Sequence, residues 1–239
     1  MKTALITGGA ARIGAQIVKT LHHHKFNIIL HFNYSEDKAQ LLCDELNAIR
    51  ANSVEIVSAD LNNMEELDSL VNSIQSLDLL VNNASVFYPK SVESSAMKDW
   101  DDVLNINLRA PFFLSKGLSK LLSNNDGSII NIVDIHADRP LKKHAIYNIS
   151  KAGLKMLTQT LAKELAPEIR VNGVSPGSIL WPQDSAEISE GEKNLMLDRI
   201  ALHRQGSPQD IADTVLFLAN SNYITGQVIN IDGGRTLNQ

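Results

Sequence analysis

Seven short apolar runs alternate along this chain with longer stretches of helical period, and that alternation constrains the fold more than any other feature. The runs are Ala4 to Thr7, Asn27 to Phe32, Val54 to Ala59, Leu77 to Asn82, Ser128 to Val133, Arg170 to Val174 and Gln227 to Ile231. Each has strand length and is apolar almost throughout, so both of its faces must be covered. A parallel sheet meets that demand, and its neighbouring strands need crossover connections. Segments Ile13 to His24, Glu36 to Ala51, Met64 to Ile74, Asp101 to Leu122, Ile146 to Ala166 and Pro208 to Asn220 carry apolar residues every three or four positions, as crossover helices do. Right-handed crossovers then predict an α/β fold, doubly wound, with helices on both faces of a seven-stranded parallel sheet. The 239 residues, 44% hydrophobic and without a Pro/Gly/Ser-rich linker, predict a single domain over 1–239. Leu180 to Arg199 is long and weakly periodic, and reads as a substrate-covering loop at about 180–200 with a short helix.

A net charge of −5 offers no electrostatic footprint for nucleic acid. Met1 to Thr7 is too short for a signal-peptide core or a membrane span, so neither a membrane partner nor export is expected and a cytoplasmic location fits. Cys43 is the only cysteine, which excludes an intrachain disulfide and a cysteine-cluster metal site. His22, His23 and His24 are successive on a helix and point roughly 100 degrees apart, so they cannot converge on one ion. They read as a solvated helix end, and no metal is expected. His136 and His144 stand where they could touch a ligand, but loop histidines are more often ordinary surface residues, and no catalytic role is expected of them.

Thr7-Gly8-Gly9-Ala10-Ala11-Arg12-Ile13-Gly14 links the first strand to the first helix. Glycines there let the backbone approach a pyrophosphate, and the N–H groups at the helix start attract its charge. Dinucleotide folds that prefer NAD place a carboxylate at the end of the second strand to hold the ribose hydroxyl. Here that place reads His31-Phe32-Asn33-Tyr34-Ser35. No acid repels a 2'-phosphate, Asn33 and Ser35 can donate hydrogen bonds and Arg12 brings positive charge, so NADP (NADPH/NADP+) is favoured. Asp60 and Leu61 end the third run, where they can lie against the adenine. Asn82, Asn83 and Ala84 end the fourth, where they can face the nucleotide or tie strand ends together.

Tyr147 and Lys151 are one turn apart on one helix face. A phenol with a reference pKa of about 10 donates poorly unless a cation favours its ionised form, and Lys151 is expected to be that cation. Tyr147 would then protonate a carbonyl or imine as hydride arrives.

Asp134 lies thirteen residues before Tyr147, and Asn107 lies on the segment preceding the fifth strand. With the glycine turn, Asn82-Asn83-Ala84 and Pro176-Gly177, these resemble the ordered motif set of the short-chain dehydrogenases/reductases, from Met1 to the Asp232-Gly233-Gly234 turn. The resemblance implies a Rossmann sheet, with Asn107 supporting a proton-relay water beside Lys151. It implies that Lys151 also binds the nicotinamide ribose, and that Pro176, Gly177, Ser178 and Ile179 pass the carboxamide. Two positions depart from the general pattern: Arg12 stands where most members have Gly, and Asp134 where most have Ser. Together they are similar to the pteridine reductases, as is Asn83-Ala84-Ser85-Val86-Phe87-Tyr88-Pro89. That subgroup implies Phe87 stacked on a pterin, with Ser85 and Arg12 at its polar edge or on the cofactor phosphates. It also implies Asp134 sharing a proton with Tyr147 to serve a ring nitrogen, and a dihydropterin or dihydrofolate-like substrate taken to the tetrahydro form. Trp181 either walls the pocket or anchors the loop. The family implies a homotetramer. The alternatives are a 3-oxoacyl-carrier-protein reductase, which Asp134 counts against, and an NADPH-sensing regulator, which the intact Tyr147–Lys151 pair counts against.

Overall fold

The computed structural model describes residues 1–181 and 190–237. In chain order it contains β1 (Thr3–Ile6), α1 (Arg12–His23), β2 (Asn27–Phe32), α2 (Glu36–Ile49), β3 (Val54–Ser58), α3 (Met64–Ser73), β4 (Leu79–Asn82), α4 (Met97–Leu104), α5 (Ala110–Ser123), β5 (Ser128–Ile132), α6 (Ala145–Glu164), β6 (Arg170–Pro176), α7 (Glu190–Asp198), α8 (Pro208–Asn220) and β7 (Val228–Ile231). The strands form one sheet in the order β3-β2-β1-β4-β5-β6-β7, parallel throughout. This is the single-domain, doubly wound sheet that the alternation of runs predicts.

Because side chains alternate across a strand, the apolar runs feed two cores. Ile6, Leu30, Val81 and Ile130 point to one face, against Ile17 and Leu21 of α1 and Ile211 and Val215 of α8. Leu5, Ile29, Leu80 and Ile129 point to the other, against Leu67 of α3, Leu114 and Leu118 of α5 and Leu161 of α6. Fully burying each such side chain contributes about 1.5–3 kcal/mol, which favours apolar residues on both faces of the central strands, while the edge strand β3 carries exposed Glu55 and Ser58. The start of α8 is fixed locally: Ser207 and Asp210 exchange bonds in a capping box, and Pro208 follows the cap.

Three expectations are corrected. The helix anticipated over Asp101 to Leu122 begins earlier, at Met97, and is interrupted by a π turn at Asn105–Arg109, where the extra residue per turn accompanies a fully buried Asn107. The seventh run is not covered on both faces: β7 has a single neighbour, β6, and its Val228, Ile229 and Ile231 are half-buried while Asn230 is exposed. The histidine run is not uniformly solvated, since His22 turns inward and its Nε2 meets the Ser53 hydroxyl at 2.8 Å, leaving His23 and His24 exposed. The substrate loop falls partly outside the described residues, which resume with α7, a helix without buried residues.

Candidate active site

The strand order reverses direction between β1 and β4, and in such sheets ligands bind beyond the carboxyl ends of the strands at that point. There the chain turns on Gly8, whose φ of +62° is left-handed. Gly14 permits no side chain at all, because a Cβ would stand 2.1 Å from the Gly8 carbonyl oxygen. Thr7 joins this turn to the next strand end: its hydroxyl accepts the N–H groups of Asn83 (2.9 Å) and Ala84 (3.0 Å), and the Asn83 side chain donates to the carbonyls of Thr7 and Gly8. Arg12, the first residue of α1, is exposed at this edge with a φ of +53°, while Ile13 packs against the core.

His31 lies beneath the turn. It is 2% exposed, its Nδ1 accepts the Gly8 N–H at 3.2 Å and its Nε2 meets the Ala59 carbonyl at 3.0 Å. Both ring nitrogens are therefore engaged by protein, and burial pulls its pKa down, with the Ala59 bond opposing. Its part is to position the turn. Asn33 and Ser35 are half-buried and Tyr34 is 90% exposed. The Asn33 amide points at the Asp60 carboxylate (3.5 Å), which also accepts the Asn62 N–H (2.9 Å). Leu61 is buried in the second core. Asn82 ties strand ends: it donates to Asn131 at 2.8 Å, and Asn131 donates to Thr158 of α6 at 2.9 Å.

Pro176 to Ile179 leave the end of β6 under tight control. A Cβ on Gly177 would meet the Asp232 Cβ and Cα at 2.6 and 2.7 Å, and the Gly177 N–H donates to Ile231. Ser178 accepts from the Gly206 N–H through its carbonyl and faces Gln205 through its hydroxyl, while Ile179 is buried. Trp181 is half-buried where the described segment ends.

The chemical groups meet at α6. Tyr147 and Lys151 are 6% and 2% exposed. The phenol donates to Asp134 Oδ2 at 2.8 Å, and Asp134 is held by its other oxygen, which accepts the His136 N–H at 2.8 Å. The Lys151 ammonium donates to the Ile132 carbonyl at 2.9 Å and stands 5.7 Å from the Tyr147 ring centroid. Burial, then the Asp134 charge and the bond to it, raise the phenol pKa well above 10, against an opposing bond from Ser85. The expectation that Lys151 draws the phenol toward ionisation is thereby corrected, because the carboxylate is the phenol's direct partner and the lysine's bond goes to the backbone. Burial lowers the Lys151 pKa from 10.5 to about 8, with Asp134 acting the other way. A buried amine near neutrality and a phenol that keeps its proton form an acid that releases it only to a strong acceptor.

Asn107 holds the neighbouring loop. Its Oδ1 accepts the Val86 N–H (2.8 Å), and its amide donates to the Val86 carbonyl (3.0 Å) and the Ser150 hydroxyl (3.1 Å). Ser85 and Phe87, on either side of Val86, are thus set beside Tyr147; the Phe87 ring meets the Tyr147 ring edge-on at 4.8 Å and remains 52% exposed. Its face is stacked on His144 at 4.6 Å. Sequence reasoning gave His144, Thr7 and Ser150 none of these roles, which rest on contacts between distant segments. Arg235, half-buried after the closing turn, has Asp134 within its electrostatic reach.

A family model described as enoyl-(acyl carrier protein) reductase matches residues 8–236. The chain belongs to the short-chain dehydrogenase/reductase family. As a short-chain oxidoreductase it uses a nicotinamide cofactor, and the turn from Gly8 to Gly14, left-handed at Gly8 and closed to a side chain at Gly14, fits a pyrophosphate. The 3-oxoacyl-[acyl-carrier-protein] reductase FabG of Staphylococcus epidermidis is 36% identical over 240 residues, covering 98% of each chain. Pteridine reductase 1 of Leishmania tarentolae is 33% identical over 281 residues, covering 98% of this short-chain oxidoreductase and 96% of its own length. FabG of Staphylococcus aureus strain Mu50 is 34% identical over 240 residues. Among the described residues no helix is long and apolar enough to cross a membrane.

Proposed function

We propose that this chain is an NADPH-dependent pteridine reductase, taking a dihydropterin such as dihydrobiopterin, dihydromonapterin or dihydrofolate to its tetrahydro form. The observation that carries this reading is the 2.8 Å bond between Tyr147 and Asp134, a carboxylate in the position from which a Ser hydroxyl would serve a carbonyl oxygen. When bound, the nicotinamide supplies the hydride. Tyr147 holds its proton in a hydrogen bond to the Asp134 carboxylate, and would pass it to a ring nitrogen and take a replacement from solvent water. Lys151, fixed by Ile132, lies beneath the phenol and would hold the nicotinamide ribose with it. Phe87 offers an exposed aromatic surface to a flat ring, with Ser85 and Arg12 for its polar edge. NADPH is supported by the lack of an acid in the His31–Ser35 stretch and by the exposed Arg12, with Asn33, Tyr34 and Ser35 for the 2'-phosphate, Asp60 and Leu61 for the adenine, and Gly8, Ile13 and Gly14 for the pyrophosphate. Asn83, Ala84 and Ser85 would line its middle, and Pro176 to Ile179 its carboxamide. A homotetramer belongs to the same proposal, supported by exposed Phe112, Ile149 and Met156 on α5 and α6.

A second reading, reduction of a 3-oxoacyl thioester on a carrier protein, is favoured by the names of the staphylococcal relatives. Turnover of dihydrobiopterin, dihydromonapterin, dihydrofolate and an acetoacetyl thioester with NADPH separates the two. Efficient reduction of a pterin supports our reading, and preference for the thioester overturns it. Tight NADPH binding without any turnover would point to a sensor.

A further inference from the structure

We infer that His144 is the positioning residue that sets the Phe87 ring for a flat bicyclic heteroaromatic substrate; this rests on the pterin reading of the site. The imidazole lies nearly parallel to the Phe87 ring, 4.6 Å between centroids and 15° between planes. On its other contact, Phe87 stands 78° to the Tyr147 ring at 4.8 Å. Phe87 is therefore braced from two directions, yet half of it faces solvent. An aromatic ring that is gripped but left open is a surface for another ring.

The brace is built into the backbone. Lys90 N–H donates to the Lys143 carbonyl at 2.6 Å, and Lys90 and His144 form a parallel bridge. The loop after β4 is thus fastened to the segment that enters α6, His144 being the residue before its first turn and three before Tyr147. Lys143 adopts a left-handed φ of +64° to make the junction, a conformation that costs energy in a residue other than glycine. Asn107 fixes Val86 on the near side of Phe87. Only the Phe87 side chain is then left to be oriented, and His144 is the ring against its face.

The hydrogen bonding of the imidazole points to the same use. Nδ1 lies 3.0 Å from the Lys142 carbonyl, so it carries the proton and donates it there. Nε2 is buried and has no hydrogen-bond partner among the described residues. The bond to Lys142 anchors one edge of the ring, and the stack with Phe87 is the contact of its face. A phenyl ring would keep the stack and remove the unpartnered nitrogen, so His144→Phe should do the same work.

The test uses NADP+-saturated protein titrated with biopterin, followed by pterin fluorescence, together with steady-state kinetics on dihydrobiopterin and NADPH affinity. His144→Ala should raise the biopterin Kd and the dihydrobiopterin KM roughly three- to tenfold, the fold-change that one aromatic pair carries. It should leave kcat and NADPH affinity unchanged, and His144→Phe should restore wild-type values. The inference is overturned if the Ala variant binds biopterin as the wild type does, if Phe fails to restore binding, or if NADPH affinity falls by the same factor, which marks a merely structural role. Wild-type protein that binds biopterin but does not reduce dihydrobiopterin would overturn the proposed reaction, with the three binding constants still deciding the role of His144. Wild-type protein that does not bind biopterin would overturn both.

Discussion

Lys151→Met should abolish a pH dependence of stability that the wild-type protein carries at its active site. Lys151 is 2% exposed, and burial lowers its pKa from 10.5 to about 8. A folded-state pKa below the unfolded one means that the unfolded chain binds the proton more tightly. The corresponding stability is present above about pH 10.5 and is lost as the pH falls through about 8. One pKa unit corresponds to about 1.4 kcal/mol, so the window between those values spans about 3 kcal/mol. Methionine keeps the buried stem without the ammonium. Urea unfolding of both proteins at about pH 7 and about pH 10.5 should show the wild type gaining about 3 kcal/mol relative to the variant as the pH rises. A stability difference that stays constant across that range, or one that moves the other way, would refute burial as the dominant influence on this amine.

Asp134→Asn should shift the basic limb of the kcat/KM profile on dihydrobiopterin to lower pH. The carboxylate's charge and bond both raise the Tyr147 pKa, and charge-assisted bonds of about 1.5–3 kcal/mol correspond to about one to two pH units; burial, the largest cause, persists in the variant, and a limb that stays put or rises contradicts the assigned partner. Gly14→Ala places a methyl 2.1 Å from the Gly8 carbonyl oxygen and forces the turn open. NADPH affinity, read by fluorescence titration, should fall by roughly tenfold or more, and wild-type affinity would show that the cradle has room to spare.

Local signals made the sheet legible. Strand-length apolar runs and three-to-four periodicity are properties of neighbouring residues, and Pro208 to Asn220 emerges with the bounds anticipated. The half-exposed β7 was not legible, because being an edge depends on strand order and not on the run itself. At the site, motif spacing brought Asp134 and Tyr147 together, and they bond. The direction of the Tyr147 shift was misjudged because the sequence does not say that Lys151 spends its bond on the Ile132 carbonyl. His31 reads from position as a residue of the nucleotide mouth, while the fold closes both its nitrogens inside the protein. His144 looked ordinary because its partner, Phe87, is supplied by another segment.

The stitching of Thr7 to Asn83 and Ala84, followed at once by the grip of Asn107 on Val86, has an evolutionary corollary. Side chains at positions 85 and 87 can be exchanged without unseating the peptide groups between them, so a lineage can retune which ring it admits while the nucleotide cradle stays in register. A change in the ring admitted on this scaffold can then begin with side chains, not with a rebuilt loop.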